Sequence, residues 1–205
     1  MGWPKAWLDF GGERLLERVA RQVGAATGTV VVVAAVGQDL PPLPGSVRVV
    51  RDAEVDQGPL RGFATGLAAL PATIDLAFVA GTDAPFLHPG WVDRLASLLG
   101  DRDCLVPEVA GRRHPLGGVY RVGPTLAAAD GLLAAGERRL TRLVDRLGGH
   151  VAREADLVDL DPTLATLRNV NTPAEYRAAL AAAGLDSGAG DGGEPTGLPR
   201  PGRPR

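Results

Sequence analysis

The chain has 205 residues and a formal net charge of −2, from 22 basic and 24 acidic side chains. This allows one well-buried domain but supplies neither the basic surface that nucleic acid requires nor an anchor for an anionic membrane. The single cysteine, Cys104, rules out an internal disulfide and points to a reducing, cytoplasmic compartment. No apolar run reaches the ~20 residues needed to cross a bilayer, and the first residues lack the cationic-then-apolar order of a secretion signal. A soluble, untargeted protein with small polar or phosphorylated partners is expected.

In chain order, Leu15, Leu16, Val19 and Val23 recur at helical spacing after the Gly11-Gly12 turn, and Thr29 to Val36 is the β-branched run of a strand buried on both faces. Val47 to Arg51 predicts a second strand, Gly62 to Leu70 a small-residue helix, and Leu76 to Ala80 another buried strand that stops at Gly81-Thr82-Asp83. Pro89 to Leu99 predicts a helix. Cys104 to Val109 and Gly117 to Arg121 predict a hairpin or two non-adjacent strands, and Pro124 to Ala135 and Leu140 to Leu147 two more helices. Thr172-Pro173-Ala174-Glu175 is a capping box with proline at the first helical position, opening a last helix that stops at Gly184. We divide the chain into a domain over 1–184 and a tail over 185–205. From Asp186 that tail holds six glycines and four prolines and lacks the apolar residues to offset its ordering entropy, so disorder is expected.

Strands alternating with helices predict an α/β fold with a mostly parallel sheet, whose ligands gather at the carboxyl ends of the strands. Such domains generally open with a strand that feeds a phosphate-binding loop. No strand precedes Lys5, so the first central strand is expected to be missing.

Several residues could carry chemistry. Asp83 follows a buried strand directly, where a carboxylate can hold Mg²⁺ together with substrate phosphates or simply cap a turn. Asp52 ends the preceding strand in the same way, as a nucleotide contact or a turn former. Gly58-Pro59-Leu60-Arg61-Gly62 opens a helix with glycines on both sides, which would let a ligand approach backbone N–H groups and is equally the shape of a plain loop. Gly136-Glu137-Arg138-Arg139 and Asn169-Val170-Asn171 are polar clusters, either solvated surface or a substrate grip. His88, His114 and His150 are the only histidines and lack zinc-site spacing, and no nucleophile elbow supports acyl chemistry. Lys5 is the only lysine, against 21 arginines. Coding bias would explain that, as would a site where a compact ammonium fits and a planar guanidinium does not.

Taken in order, Met1-Gly2 with Lys5, Phe10-Gly11-Gly12, Gly58-Pro59-Leu60 with Gly62, Thr82-Asp83-Ala84-Pro85-Phe86, His114-Pro115-Leu116, Gly136-Glu137-Arg138-Arg139 and Asn169-Val170-Asn171-Thr172-Pro173 resemble the molybdenum cofactor guanylyltransferases over residues 1 to about 183. The resemblance implies a Rossmann-like three-layer nucleotidyltransferase fold with a mixed sheet. It also implies an Mg²⁺-dependent reaction in which the terminal phosphate of a molybdenum-bound pterin attacks the α-phosphorus of GTP and releases pyrophosphate. Carried over by position, it makes Lys5 the phosphate-binding lysine, Asp83 the magnesium ligand, Asp52 a nucleotide contact, and Gly58 and Gly62 the guanine-side loop. Arg139, Asn169 and Asn171 fall on the pterin side. Molybdoenzymes or their chaperones would receive the product, with no role for nucleic acid or membrane.

Two departures bear on activity. The family's first strand and its Leu-Ala-Gly-Gly-x-Ser-x-Arg loop are absent before Met1, as if Met1 were an internal methionine of that loop. Ala34 stands where the family has an asparagine that contacts the nucleotide. The sequence therefore leaves room for a CTP-dependent pterin cytidylyltransferase, a sugar-phosphate nucleotidyltransferase, or a non-catalytic binding protein that lost its triphosphate loop.

Overall fold

Lys5–Trp7 forms a single 3₁₀ turn whose buried Ala6 packs on Leu16 and Ala20 of α1 (Leu15–Thr27). This fixes that turn to the domain. The computed structural model describes residues 4–52 and 58–185; Met1, Gly2 and the tail from Asp186 lie outside the described residues. Strand β1 (Val30–Ala35) follows α1 and pairs in parallel with β2 (Val47–Asp52), in register from Val30 with Val47 to Ala35 with Asp52. Then come α2 (Pro59–Ala68), β3 (Leu76–Phe78) and α3 (Trp91–Leu99). The second half supplies β4 (Cys104–Val109), β5 (Arg112–Arg113), β6 (Val119–Arg121), α4 (Val122–Ala134), α5 (Leu140–Arg146), β7 (Val151–Arg153) and α6 (Pro173–Ala182).

The sheet is mixed and its second half runs in the order β3-β6-β4-β5, with β7 alongside β4 in parallel. Of the two expectations for residues 104–121, pairing is observed and the alternative of non-adjacent strands is not. Strand β4 makes a hairpin with β5, and it also pairs antiparallel with β6, Cys104 opposite Tyr120 and Leu105 opposite Val119.

Period-two alternation then builds three layers. Cys104, Val106 and Tyr120 face α2, α4 and α5, where Phe63 meets Tyr120 edge-on at 4.9 Å. Leu105 and Val119 face the opposite way, onto Trp91, Leu95 and Leu99 of α3. The strand β7 has no counterpart in the sequence expectation, because three residues, Val151-Ala152-Arg153, are too short for periodicity to register.

Among the described residues no ladder joins β1 to β3. A cavity of about 570 Å³ lies between the two parts of the sheet, lined by Val30 to Ala35 on one side and Leu76 to Ala80 on the other. Ala34, at the position of the family's asparagine, lines this cavity and is buried. Leu185, assigned by the sequence to the tail, packs with Phe10, Leu15, Val170 and Leu180.

Candidate active site

Asp83 lies just past β3, and the turn that carries it is held from three directions. Its backbone carbonyl accepts from Val170 N at 2.9 Å. The next carbonyl of that turn but one, Pro85 O, accepts from Arg18 Nε at 2.9 Å. Phe86 packs edge-on against buried Phe10 at 5.8 Å, with the Arg18 guanidinium over the Phe10 ring. The last two contacts tie the turn to the N-terminal segment and α1, so Lys5 and Asp83 are positioned by one packed unit.

Lys5 Nζ donates to Asp83 Oδ2 at 3.0 Å and to Asn171 Oδ1 at 2.6 Å. The Lys5 and Asp83 side chains are 35% and 17% exposed, so the pair is shielded on one side and open on the other. An ammonium has three donors. Two are taken, which leaves one to meet a ligand oxygen from the open side. Asn171 is itself oriented by the cap of α6: its backbone N–H donates to Glu175 Oε2 at 2.7 Å, Thr172 N donates to the same oxygen at 3.0 Å, and Glu175 N donates back to Thr172 Oγ1 at 3.1 Å. The capping box visible in the sequence thus aims a site residue, a role that the sequence motif alone does not reveal. Gly81 has no Cβ to spare here, since one would lie 2.9 Å from Asp83 Oδ1.

The remaining candidates sit around this group. Asp52, Gly58 and Gly62 line the cavity together with Thr82, Leu116 and Leu140. Gly58 precedes α2 with φ 75° and ψ 176°, a conformation essentially confined to glycine. An added Cβ would lie 2.9 Å from Arg138 Cβ. Leu60 N donates to Arg138 O at 3.2 Å, so the α2 entrance is seated on the loop before α5.

That loop is organised by Glu137, a member of the polar cluster that the sequence leaves as solvated surface or substrate grip. Its carboxylate accepts from the backbone N–H groups of Arg138 and Arg139 at 2.9 and 3.0 Å, and from the Arg139 guanidinium at 3.0 and 2.9 Å. The Arg139 guanidinium first, then the two backbone N–H groups, pulls the Glu137 carboxyl down to about 2. Arg139 is therefore engaged by Glu137, not drawn into the Lys5 group, and the Glu-x-Arg spacing was the available signal. Asn169 is exposed two residues before Asn171, outside any helix or strand. His114 is held below its ordinary value by burial and by the Arg112 charge.

Among the described residues no group of three His, Cys, Asp or Glu side chains could hold a metal by itself. A lone carboxylate is compatible with magnesium only where substrate oxygens and water complete the coordination.

Fold and site together define a nucleotidyltransferase of the α/β class. The MobA-like NTP transferase domain family matches residues 1–152, and the chain belongs to that family. A Mycobacterium avium protein named "Probable molybdenum cofactor guanylyltransferase" is 36% identical over 182 residues, 87% of each chain. One of the same name from Mycobacterium tuberculosis is 39% identical over 150 residues, covering 71% of this chain and 73% of that one. Among solved structures, molybdopterin-guanine dinucleotide biosynthesis protein A from Archaeoglobus fulgidus superposes with a TM-score of 0.70 at 19% identity, covering 89% of this chain and 92% of that one. The 2-C-methyl-D-erythritol 4-phosphate cytidylyltransferase from Thermus thermophilus gives 0.66 at 23% identity, over 88% and 93%. These two likenesses speak for the fold. No helix among the described residues is long and apolar enough to cross a membrane.

Proposed function

We propose that this protein transfers GMP from GTP to the terminal phosphate of a molybdenum-bound pterin in the cytoplasm. An oxygen of the pterin phosphate bonds to the α-phosphorus of GTP as the bond from that phosphorus to the bridging oxygen breaks, and pyrophosphate leaves with the electron pair. The attacking phosphate is already anionic near neutral pH, so no general base is needed and catalysis consists of positioning and charge neutralisation.

The observation that carries this reading is Lys5 Nζ bonded to both Asp83 and Asn171, a cation held at the carboxyl end of β3 with its open side toward solvent. Lys5 and Asp83 together are neutral, so they cannot by themselves offset a triphosphate. Asp83 would hold Mg²⁺ through a carboxylate oxygen, and the ion would supply the missing positive charge at the phosphates. Asp52, Gly58 and Gly62 form the nucleotide side at the entrance of α2. Asn171, Asn169 and the Arg139 loop form the pterin side. The product would pass to a molybdoenzyme or its chaperone.

The test is Mg²⁺-dependent pyrophosphate release with the pterin cofactor as acceptor, GTP against CTP. Faster release with GTP is expected. Equal or faster release with CTP would overturn the guanine assignment, and release from neither would overturn the reaction.

A further inference from the structure

Asp161 and Thr166 are two of the three buried polar or charged residues among the described residues, and the reaction proposed above gives neither a task. The Asp161 carboxylate closes a turn over the residues that follow it. Its Oδ1 accepts from Ala165 N at 3.1 Å, its Oδ2 accepts from Thr166 N at 2.9 Å, and its backbone carbonyl accepts from Leu164 N at 2.9 Å. These bonds hold Leu164 at φ 49° and ψ 37°, the left-handed region that a leucine adopts only where its surroundings impose it. An imposed backbone conformation directs attention to what the turn presents, and this one presents Thr166.

The Thr166 hydroxyl accepts from His88 N at 3.0 Å and donates to Phe86 O at 3.3 Å. Further along, Val170 N donates to Asp83 O at 2.9 Å. Residues 83–88 and 166–170 therefore run past one another in opposite directions. A backbone amide makes the rung at the Asp83 end, and a side-chain hydroxyl makes the rung at the other end. Asp83 and Asn171 sit at the first rung, bridged by Lys5 Nζ at 3.0 and 2.6 Å. With that rung alone the two segments could pivot about Val170 and change the separation of Asp83 from Asn171; the Thr166 rung removes that freedom. Arg18 also holds Pro85 O, but from α1, so it ties only one of the two segments.

We propose that Thr166, locked by Asp161, is a positioning residue that sets the spacing between Asp83 and Asn171 and hence the seat of the Lys5 ammonium. It acts through those two side chains. A site that works by placing charge loses rate when its groups shift by a fraction of an ångström, so the partners that fix them matter nearly as much as the groups themselves. The kinetic consequence rests on the proposed reaction, and the geometric one stands apart from it.

Lys5 is the only lysine, so the full chain grown on isotopically labelled lysine gives one lysine Cε signal in carbon NMR, and that signal reports the seat of the ammonium. Thr166→Val removes the hydroxyl at similar volume, and Thr166→Ser keeps it. In the valine variant the Lys5 signal is expected to move toward the position of free lysine, and kcat with GTP and the pterin acceptor to fall about tenfold with KM for GTP nearly unchanged. The serine variant is expected to match the wild type in both. Should the valine variant not fold, Thr166→Ala makes the same comparison with no second methyl group to seat. A Lys5 signal that stays in place when the hydroxyl is gone, or that moves as far in the serine variant, would overturn the positioning role. A Lys5 signal that moves while turnover is unchanged would uphold the spacing and count against the proposed chemistry at Lys5. A wild type with no turnover would overturn the reaction and leave the Lys5 signal to decide the spacing.

Discussion

Lys5 and Asp83, separated by 78 positions in sequence, meet at 3.0 Å between Nζ and Oδ2, and Asn171, another 88 positions on, closes the group at 2.6 Å from the same nitrogen. Three distant segments converge on one ammonium. Replacing it by Lys5→Ala should lower kcat by about 100-fold, the scale of losing one preorganised donor to developing charge. Lys5→Arg should also lower turnover, because a planar fork does not fit a point-charge site. The pair is partly exposed, so thermal melts of both variants should show a stability change under about 1 kcal/mol. A large stability loss with unchanged turnover would make Lys5 structural.

Gly58 links the proposed nucleotide side to the loop before α5. Gly58→Ala places a methyl group 2.9 Å from Arg138 Cβ in a backbone conformation with φ 75°, and should cost about 1–3 kcal/mol in urea unfolding. In steady-state kinetics KM for GTP should rise more than KM for the pterin, since it is the start of α2 that shifts.

Thr172 offers a test of how a helix cap reaches the site. Thr172→Ala removes the acceptor for Glu175 N, and should destabilise the protein by about 1 kcal/mol. It also loosens the carboxylate that holds Asn171 N, so pterin KM should rise. Unchanged kinetics in a destabilised variant would separate the cap from the site.

The residues around Lys5 show how much could be read in advance. The buried run of β1, the strand end before Asp83 and the α6 cap follow local rules of periodicity and capping, and the structure places them within a residue or two of expectation. The Lys5–Asn171 bond spans 166 positions, and no local pattern encodes it; it arises because Val170 is buried and bonds to Asp83 O. The engagement of Arg139 by Glu137 went unread for a different reason. An arginine in a polar cluster looks available for substrate until the carboxylate two positions upstream is seen to turn back onto it.

Glu137 also sets a pH dependence. Its carboxyl titrates at about 2 in the fold, against an ordinary 4.5, so the unfolded chain binds the proton first as pH falls. The stability it contributes is complete above pH 4.5 and is lost progressively toward pH 2. Urea midpoints taken between pH 6 and pH 3 should therefore fall more steeply for the wild type than for Glu137→Gln. Parallel slopes would mean that this carboxylate is not held as described.

The central claim is the joining of GMP to a pterin phosphate at the Lys5–Asp83 pair. Mass spectrometry of the product formed from GTP, Mg²⁺ and the molybdenum pterin tests it most directly, with Asp83→Asn run in parallel. The account predicts the guanine dinucleotide from the wild type and none above background from Asp83→Asn. A wild type that forms no dinucleotide, or an Asp83→Asn variant that forms as much, would contradict it.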